Sequence, residues 1–460
     1  MTSNAKRHHF LLGIGGIGMS AIARHLHQMG HVVAGYDLTR SHLTKALEQE
    51  GMTVVYEDDL HSLPGWVMTL PPSDMSVVWT PAVPRQLGLL QALERRGHTL
   101  VKRASMLGSI TAGTPSLAVA GTHGKTTTSS MLAAMFREHT QPCYAFLGGI
   151  DALTKSNYLT APNAHWHVVE ADEFDRSFHH LHPTHAAIIT VDPDHLDVYD
   201  QKEALLEAFV QFGRQVSETL LLPQGLKWPA MDGPEVRRFE VVNEEADSEA
   251  TYHAILRPDA QTTTFCLAES PPFEAKVSLP GKHNVANALV AASLAHCAGI
   301  DPLAIAQGVA NFQGVHRRFD VHLDNKSNVY VDDYAHHPTE LQALIDTVKA
   351  RWPQRHITLV FQPHLYSRTR DFMAEFAQAL GSVDRVLLLP IYPARELPIP
   401  GVDAQWLFEN ISGNQKKLVS SKSIFDSLKA CPVDVLVTAG AGDIDCLVPE
   451  VLLHLQSLEN

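Results

Sequence analysis

Residues 117–128 read Leu-Ala-Val-Ala-Gly-Thr-His-Gly-Lys-Thr-Thr-Thr, and the organisation of the chain follows from them. The apolar run 117–120 predicts a buried strand, and a helical run, 129–136, leads out of the stretch. Strand, glycine turn, Gly-Lys-Thr and helix is the arrangement of a phosphate-binding loop. Glycines let the backbone approach the phosphates, and the helix N-terminus turns free N–H groups and a positive dipole end toward them. Lys125 would reach the outer phosphates, and the Thr126 hydroxyl would hold a magnesium ion. The spacing departs from G-x-x-x-x-G-K-[ST], whose first glycine would fall on Val119; Gly121 comes two residues later. The strand and helix on either side favour a variant phosphate loop over a chance turn.

A chain of 460 residues is too long for one core, so two to four domains are expected. Apolar residues at 45% and charged residues at 19% describe an ordinary globular protein. A net charge of −14 argues against nucleic acid as the main partner, while small anionic ligands need only a local positive site. Cysteines 143, 266, 297, 431 and 446 form no C-x-x-C pair, which fits free thiols in a reducing, cytoplasmic setting. No apolar run approaches the roughly 18 residues of a membrane span, so no membrane association is expected. Lys6 and Arg7 precede an apolar stretch, as in a secretion signal, but that stretch holds four glycines in a phosphate-loop pattern.

Residues 8–14 predict a first strand, followed by Gly13-x-Gly15-Gly16-x-Gly18 and a helix over 19–29. A second strand, 31–37, ends on Asp37, 19 residues after Gly18, where a ribose-binding acid sits in a dinucleotide fold. Further strands are expected at 53–56, 76–80 and 99–102, giving a doubly wound unit of about 105 residues. The glycines alone suit NAD, the pyrophosphate of a UDP-sugar, or tight strand–helix packing with no ligand. Residues 104–116 are small and read as a linker to a second domain.

In that domain, residues 166–169 predict a strand running into Glu170-Ala-Asp172-Glu173-Phe-Asp175. Ligands of open α/β sheets sit at such strand ends, so an acid here is a metal-ligand candidate. Another strand, 185–190, runs into Asp192-Pro-Asp194-His195; His195 is a weaker candidate, because magnesium prefers oxygen donors. Residues 222–275 suggest strands and loops at a domain edge. Gly281-Lys-His283-Asn284-Val-Ala-Asn287 opens a helix, where the two asparagines share a face that reads a nucleotide base or simply caps.

A third α/β domain follows residues 312–320. Strands at 329–333, 356–362, 385–390 and 434–438 each end in a polar or glycine-rich loop, so these loops should project on one edge.

Together these motifs resemble the Mur ligase family of ATP-dependent amide-bond synthetases, and the resemblance covers almost the whole chain. It rests on Gly-Ile-Gly-Gly-Ile-Gly-Met-Ser at 13–20, the loop at 120–128, Glu-Ala-Asp-Glu at 170–173 and Asp-Pro-Asp-His-Leu-Asp at 192–197. Gly-Lys-His-Asn-x-x-Asn at 281–287, Arg-Arg-Phe-Asp at 317–320, Asp-Asp-Tyr-Ala-His-His-Pro-Thr-Glu at 332–340 and Phe-Gln-Pro-His-x-Tyr-Ser-Arg-Thr at 361–369 complete it.

The resemblance implies an N-terminal Rossmann-like domain (1–107) for a UDP-sugar, a central P-loop-type ATP-binding α/β domain (108–313) and a C-terminal Rossmann-like α/β domain (314–460). The last would bind the amino acid and close over ATP. Gly13, Gly15, Gly16, Gly18, Asp37 and Thr80 would then serve the UDP-sugar, displacing the NAD reading. Gly121, Thr122, His123, Gly124, Lys125, Thr126, Thr127, His283, Asn284, Asn287, Arg318 and Asp332 would serve ATP. Thr126, Glu170 and His195 would hold Mg2+, with Lys125, His195 and His336 catalytic. His336, His364 and Arg368 would take the amino acid.

Within the family the pattern is most like members that join L-alanine to UDP-N-acetylmuramate through an acyl phosphate in the cytoplasm, as monomer or homodimer. Members attaching a recycled peptide to the same sugar are the alternative, and an NAD-dependent oxidoreductase is a distant one. Three departures stand out. Thr190 replaces a common Asn and leaves that Asn's contact open. Leu365 replaces a common Arg, so the amino acid's carboxylate leans on Arg368. No match to the modifiable lysine of later family members is present.

Overall fold

The computed structural model describes residues 7–139, 141–192, 202–243, 248–256, 262–394, 396–413, 415–430 and 433–457. The chain divides into two compact units. One comprises Met1–Ser278 with Val285–Gln313, the other Leu279–Asn284 with Gly314–Asn460.

The first unit holds two sheets. The N-terminal sheet contains β1 (His8–Leu12), β2 (Val32–Tyr36), β3 (Thr53–Val55), β4 (Met75–Trp79) and β5 (Leu100–Lys102). All pairs are parallel in the order β3-β2-β1-β4-β5. The chain moves outward from β1 to β3, then crosses back to β4. Ligands settle in the crevice beyond β1 and β4, where the order reverses. The glycine turn follows β1, and Thr80 follows β4.

The second sheet contains β6 (Ser116–Ala120), β7 (Cys143–Phe146), β8 (Tyr158–Leu159), β9 (Trp166–Ala171), β10 (His185–Ile188), β11 (Thr219–Pro223), β12 (Glu235–Asn243), β13 (Tyr252–Leu256), β14 (Thr263–Cys266) and β15 (Phe273–Ala275). Its order is β15-β14-β13-β12-β11-β10-β6-β9-β7-β8. Strand β6 is fully buried and lies between β9 and β10, parallel to both, so three strand ends meet around residues 121–124. The helix Lys125–Glu138 leaves that point and is buried from Thr126 to Phe136. Helix Pro302–Asn311 packs closely on it because Gly308 lacks a side chain; a Cβ there would lie 2.5 Å from the Met135 Cα.

Residues 104–116, expected to be a linker, instead contribute to a helix, Arg103–Thr111, with Ala104, Met106 and Thr111 buried. Their small size answers a packing demand. A Cβ at Gly108 would meet the His180 carbonyl oxygen at 2.3 Å.

Two buried histidines lie between the first unit's sheets. The ring of His25, on helix Ile17–Gln28, is 2.8 Å from the Tyr158 hydroxyl and 6.3 Å from the ring of His167 on β9. Burial pushes both down from 6.5 to about 4, and each positive ring opposes its neighbours. The unfolded chain therefore binds these protons near pH 6.5, and the folded chain only near 4. Their contribution to stability is complete above the unfolded value and is lost as pH falls through that window. Thermal melts should show the His167→Phe variant, which retains a ring against Tyr144, losing less stability than the wild type between pH 6.5 and 4.

The second unit carries one sheet of β16 (Asp320–Asp324), β17 (Val329–Asp333), β18 (Ile357–Phe361), β19 (Arg385–Leu388), β20 (Gln415–Leu418) and β21 (Val435–Ala439). The order is β16-β17-β21-β18-β19-β20, with only β16 antiparallel. The loops after β17, β18, β19 and β21 therefore share one edge. No helix among the described residues is long and apolar enough to cross a membrane.

Candidate active site

The first glycine loop is braced by its own unit. Gly13 adopts φ +82° and its N–H donates to the Tyr36 carbonyl at 2.8 Å. The Gly15 N–H donates to Asp37 Oδ2 at 2.8 Å, and the Thr39 N–H donates to Oδ1 at 3.0 Å. Asp37 thus holds the turn. A Cβ at Gly13 would touch Thr80 and Val83, and one at Gly18 would meet Arg103 at 2.5 Å. The turn, Asp37 and Thr80 are gathered as the motif predicts, with Gly16 closing it through an N–H bond to the Gly13 carbonyl at 3.1 Å.

The second loop turns on Gly121 (φ +132°) and Gly124 (φ +82°), conformations that side chains resist. Gly124 also admits Asn287, whose Oδ1 lies 2.5 Å from where a Cβ would be. Lys125 Nζ donates to Glu173 Oε1 and Oε2, both at 2.8 Å, and to the Gly121 carbonyl at 2.6 Å. Glu173 has no exposed surface. Burial, the largest influence, lowers the lysine's pKa, but Glu173, Asp172 and Glu170 together outweigh it and hold the ammonium above its usual value. Thr126 and Thr127 are buried in the first helical turn.

Thr190 recovers a supporting role. Its Oγ1 accepts from the His123 N–H at 3.1 Å and lies 2.9 Å from the Thr122 Oγ1, and its carbonyl accepts from the Thr122 N–H at 3.1 Å. The Thr122 hydroxyl in turn accepts from the Asp192 N–H at 3.0 Å, and the His123 ring faces Asp192 at 3.8 Å. These bonds tie the loop to the end of β10. Thr190→Val keeps the shape and removes the hydroxyl, which costs about 1–3 kcal/mol where a part-buried donor loses its partner. Denaturant unfolding should show Thr190→Val less stable than the wild type by about that amount.

The acids after β9 part company. Asp172 pairs with Arg103 at 3.1 Å, Asp175 with Lys102 at 3.0 Å, and Glu173 with Lys125. Glu170 Oε2 accepts from the Gly148 N–H at 3.1 Å. Gly18, Arg103, Phe146, Gly148, Glu170 and Asp172 line a cleft of about 110 Å³ between the first glycine loop and the β9 end. For magnesium, the Thr126 hydroxyl and the cleft-lining Glu170 carboxylate are oxygen donors of the right kind. Among the described residues no group of three His, Cys, Asp or Glu side chains is placed to hold a metal ion. His195 lies outside the described residues.

In the second unit, Asp332 is buried and accepts from Arg317 Nε at 3.2 Å and from the Thr438 hydroxyl at 2.7 Å. Its pKa is raised, because burial outweighs these partners. Arg318, the arginine assigned from sequence, lies over the Tyr334 ring at 5.1 Å and near Glu340 at 3.9 Å. Asp333, half-buried and pushed up to about 6 by desolvation, accepts from the Phe319 and Ala335 N–H groups at 2.6 and 2.7 Å. The Asn284 amide donates to the Pro280 carbonyl at 2.7 Å, and burial lowers His283.

His336, His364 and Arg368 come together. The His336 and His364 rings meet edge to face at 5.7 Å, and Arg368 Nη1 lies 3.4 Å from His364 Nδ1. His364 stacks on Tyr392 at 5.8 Å. His336 Nδ1 donates to the Tyr334 carbonyl at 2.9 Å, which puts the acceptor lone pair of the neutral ring on Nε2. Leu365 is buried at φ +71° and turns the chain between these groups. Sequence reasoning missed Gly148, Arg103, Arg317 and Tyr392; each acts through a partner remote in the chain.

Three α/β sheets carry these residues. The family model of the Mur ligase catalytic domain matches residues 8–114, that of the middle domain 119–295, and that of the glutamate ligase domain 317–448. The chain belongs to the Mur ligase family. It is 43% identical over 455 residues to a UDP-N-acetylmuramate–L-alanine ligase of Porphyromonas gingivalis, covering 98% of this chain and 99% of that one. Its fold resembles the crystal structure of UDP-N-acetylmuramate-alanine ligase from Thermotoga maritima, with TM-score 0.79 and 24% identity over 98% of this chain and 99% of that one. It also resembles a murein peptide ligase from Psychrobacter arcticus, with TM-score 0.70 and 22% identity over 98% of each chain.

Proposed function

We propose that this chain joins L-alanine to the carboxylate of UDP-N-acetylmuramate at the expense of ATP, in the cytoplasm. The observation that carries this reading is the full-length likeness to an alanine ligase together with one piece of geometry. A phosphate loop with a carboxylate-held Lys125 stands beside a cleft shared by Glu170 and the first glycine turn.

A carboxylate does not condense with an amine at neutral pH, because oxide is a poor leaving group. A carboxylate oxygen attacks the ATP γ-phosphorus, ADP departs, and an acyl phosphate remains. The alanine nitrogen then attacks the acyl carbon and expels phosphate. Two anions meet in the first step, and Lys125 counters their repulsion and the charge spread over the transferring group. Magnesium, held by Thr126 and Glu170, and by His195 as the resemblance implies, would supply further positive charge. Arg368 takes the amino acid's carboxylate beside His364. His336 Nε2 accepts the proton that the amine must lose. The assignments of Gly121–Thr127, Asn287, His283, Asn284, Arg318 and Asp332 to ATP belong to the same reading, as do the domain limits 1–107, 108–313 and 314–460.

The test is phosphate release from ATP with UDP-N-acetylmuramate and either L-alanine, glycine, L-serine or L-Ala-D-Glu-meso-diaminopimelate. Release should be fastest with L-alanine. Preference for the tripeptide would move the chain to the murein peptide ligases, whose fold it also shares.

A further inference from the structure

Asn157 is fully buried, yet lies outside every motif of the reaction. Both N–H groups of its side-chain amide are used, and its oxygen has a donor. Nδ2 donates to the Ile17 carbonyl and, at 2.9 Å, to the Ser20 hydroxyl, and Oδ1 accepts from Arg24 Nη1. A carbonyl only accepts and a guanidinium only donates, so the orientation of the amide is fixed by its neighbours. Arg24 is itself buried and bound to Glu50, with Nε and Nη2 reaching the carboxylate at 2.9 and 2.7 Å. Ile17, Ser20 and Arg24 belong to the helix that the first glycine turn starts.

The backbone of Asn157 works in the other direction. Its carbonyl accepts from the Leu147 N–H at 2.9 Å. Leu147 precedes Gly148, whose N–H holds Glu170. Ile17, Gly18, Leu147, Gly148 and Glu170 all line the one cleft. A single buried residue thus links the two walls of that cleft, one carrying the UDP-sugar turn and the other the carboxylate.

We propose that Asn157, held by Arg24, is a positioning residue that sets the spacing between the UDP-sugar turn and the Gly148–Glu170 wall. This rests on the functional reading above. It predicts that loosening Asn157 impairs the UDP-sugar far more than ATP, because the phosphate loop at 121–127 makes no bond to this strap among the bonds described. A side chain that merely stabilised the fold would change both together.

The experiment compares wild type with Asn157→Asp and Asn157→Ala. Asp keeps the shape and the acceptor for Arg24 but loses both donated bonds, Ala removes all three, and the melting temperature of each variant shows which is folded. Calorimetric titration with UDP-N-acetylmuramate alone gives a readout independent of turnover. The Kd for the sugar nucleotide and its KM should rise about tenfold or more in Asn157→Asp, a loss of about 1.4 kcal/mol of binding. The KM for ATP should stay within about twofold, a change too small to register as a lost contact. Unchanged sugar-nucleotide affinity in a folded Asn157→Asp, or an equal rise in both KM values, overturns the proposal. Wild-type protein that fails to bind UDP-N-acetylmuramate overturns the functional reading instead.

Discussion

Lys125→Met should reduce ATP-dependent phosphate release by about 100- to 1,000-fold, the usual cost of removing one preorganised donor from a developing charge. It should also destabilise the protein. The Lys125 side chain is 13% exposed and that of Glu173 is 0% exposed, so methionine leaves a carboxylate enclosed without its ammonium. Breaking such a pair on one side costs about 3–5 kcal/mol. The two effects separate in a second variant. Lys125→Met with Glu173→Gln removes both charges and should regain most of the lost melting temperature while staying inactive. If the double variant regained turnover, Lys125 would be a structural partner of Glu173 and nothing more. The single variant's loss of stability is measured by denaturant unfolding, and the activity of both by phosphate release.

Gly148→Ala should separate activity from stability in the opposite way. An added Cβ would lie 2.2 Å from Glu170 Oε2 and 2.6 Å from its Cδ. Those atoms are the far end of a side chain facing a cleft, so they move aside at little cost to the fold. The carboxylate then sits off its place by about an ångström, a displacement that costs about 100-fold in rate. The melting temperature should stay close to the wild type, and the magnesium concentration for half-maximal activity should rise. Glu170→Gln is the companion variant: it keeps the shape, loses the charge and should fall at least as far. Full activity in Gly148→Ala would overturn the proposal that Glu170 holds magnesium.

Much of this was legible in the sequence, and for a common reason. Both glycine loops, the helices they start and the polar ends of the parallel strands are local patterns, set by backbone geometry over a few residues. The apolar run at 117–120 became β6, and the strand ends after β17, β18, β19 and β21 share an edge because parallel strands point the same way. The linker expected at 104–116 failed on the same ground. Gly108 lacks a side chain because the helix Arg103–Thr111 packs there against the His180 backbone, a demand placed by residues far along the chain.

The chain alone determined that a strand, a glycine turn and a helix follow one another around 121–125, and the structure holds Gly121 and Gly124 at positive φ as such a turn needs. It did not determine what Lys125 meets. Glu173 lies 48 residues away and comes within 2.8 Å only because β9 neighbours β6 in the sheet, and Thr190 closes the loop only because β10 lies on the other side. Likewise the choice of Arg317 over Arg318 for Asp332 follows from Arg317's left-handed backbone at φ +61°, which turns it toward β17. Local motifs are written in consecutive residues. Partners are set by strand order and backbone turns, which no short stretch of sequence contains.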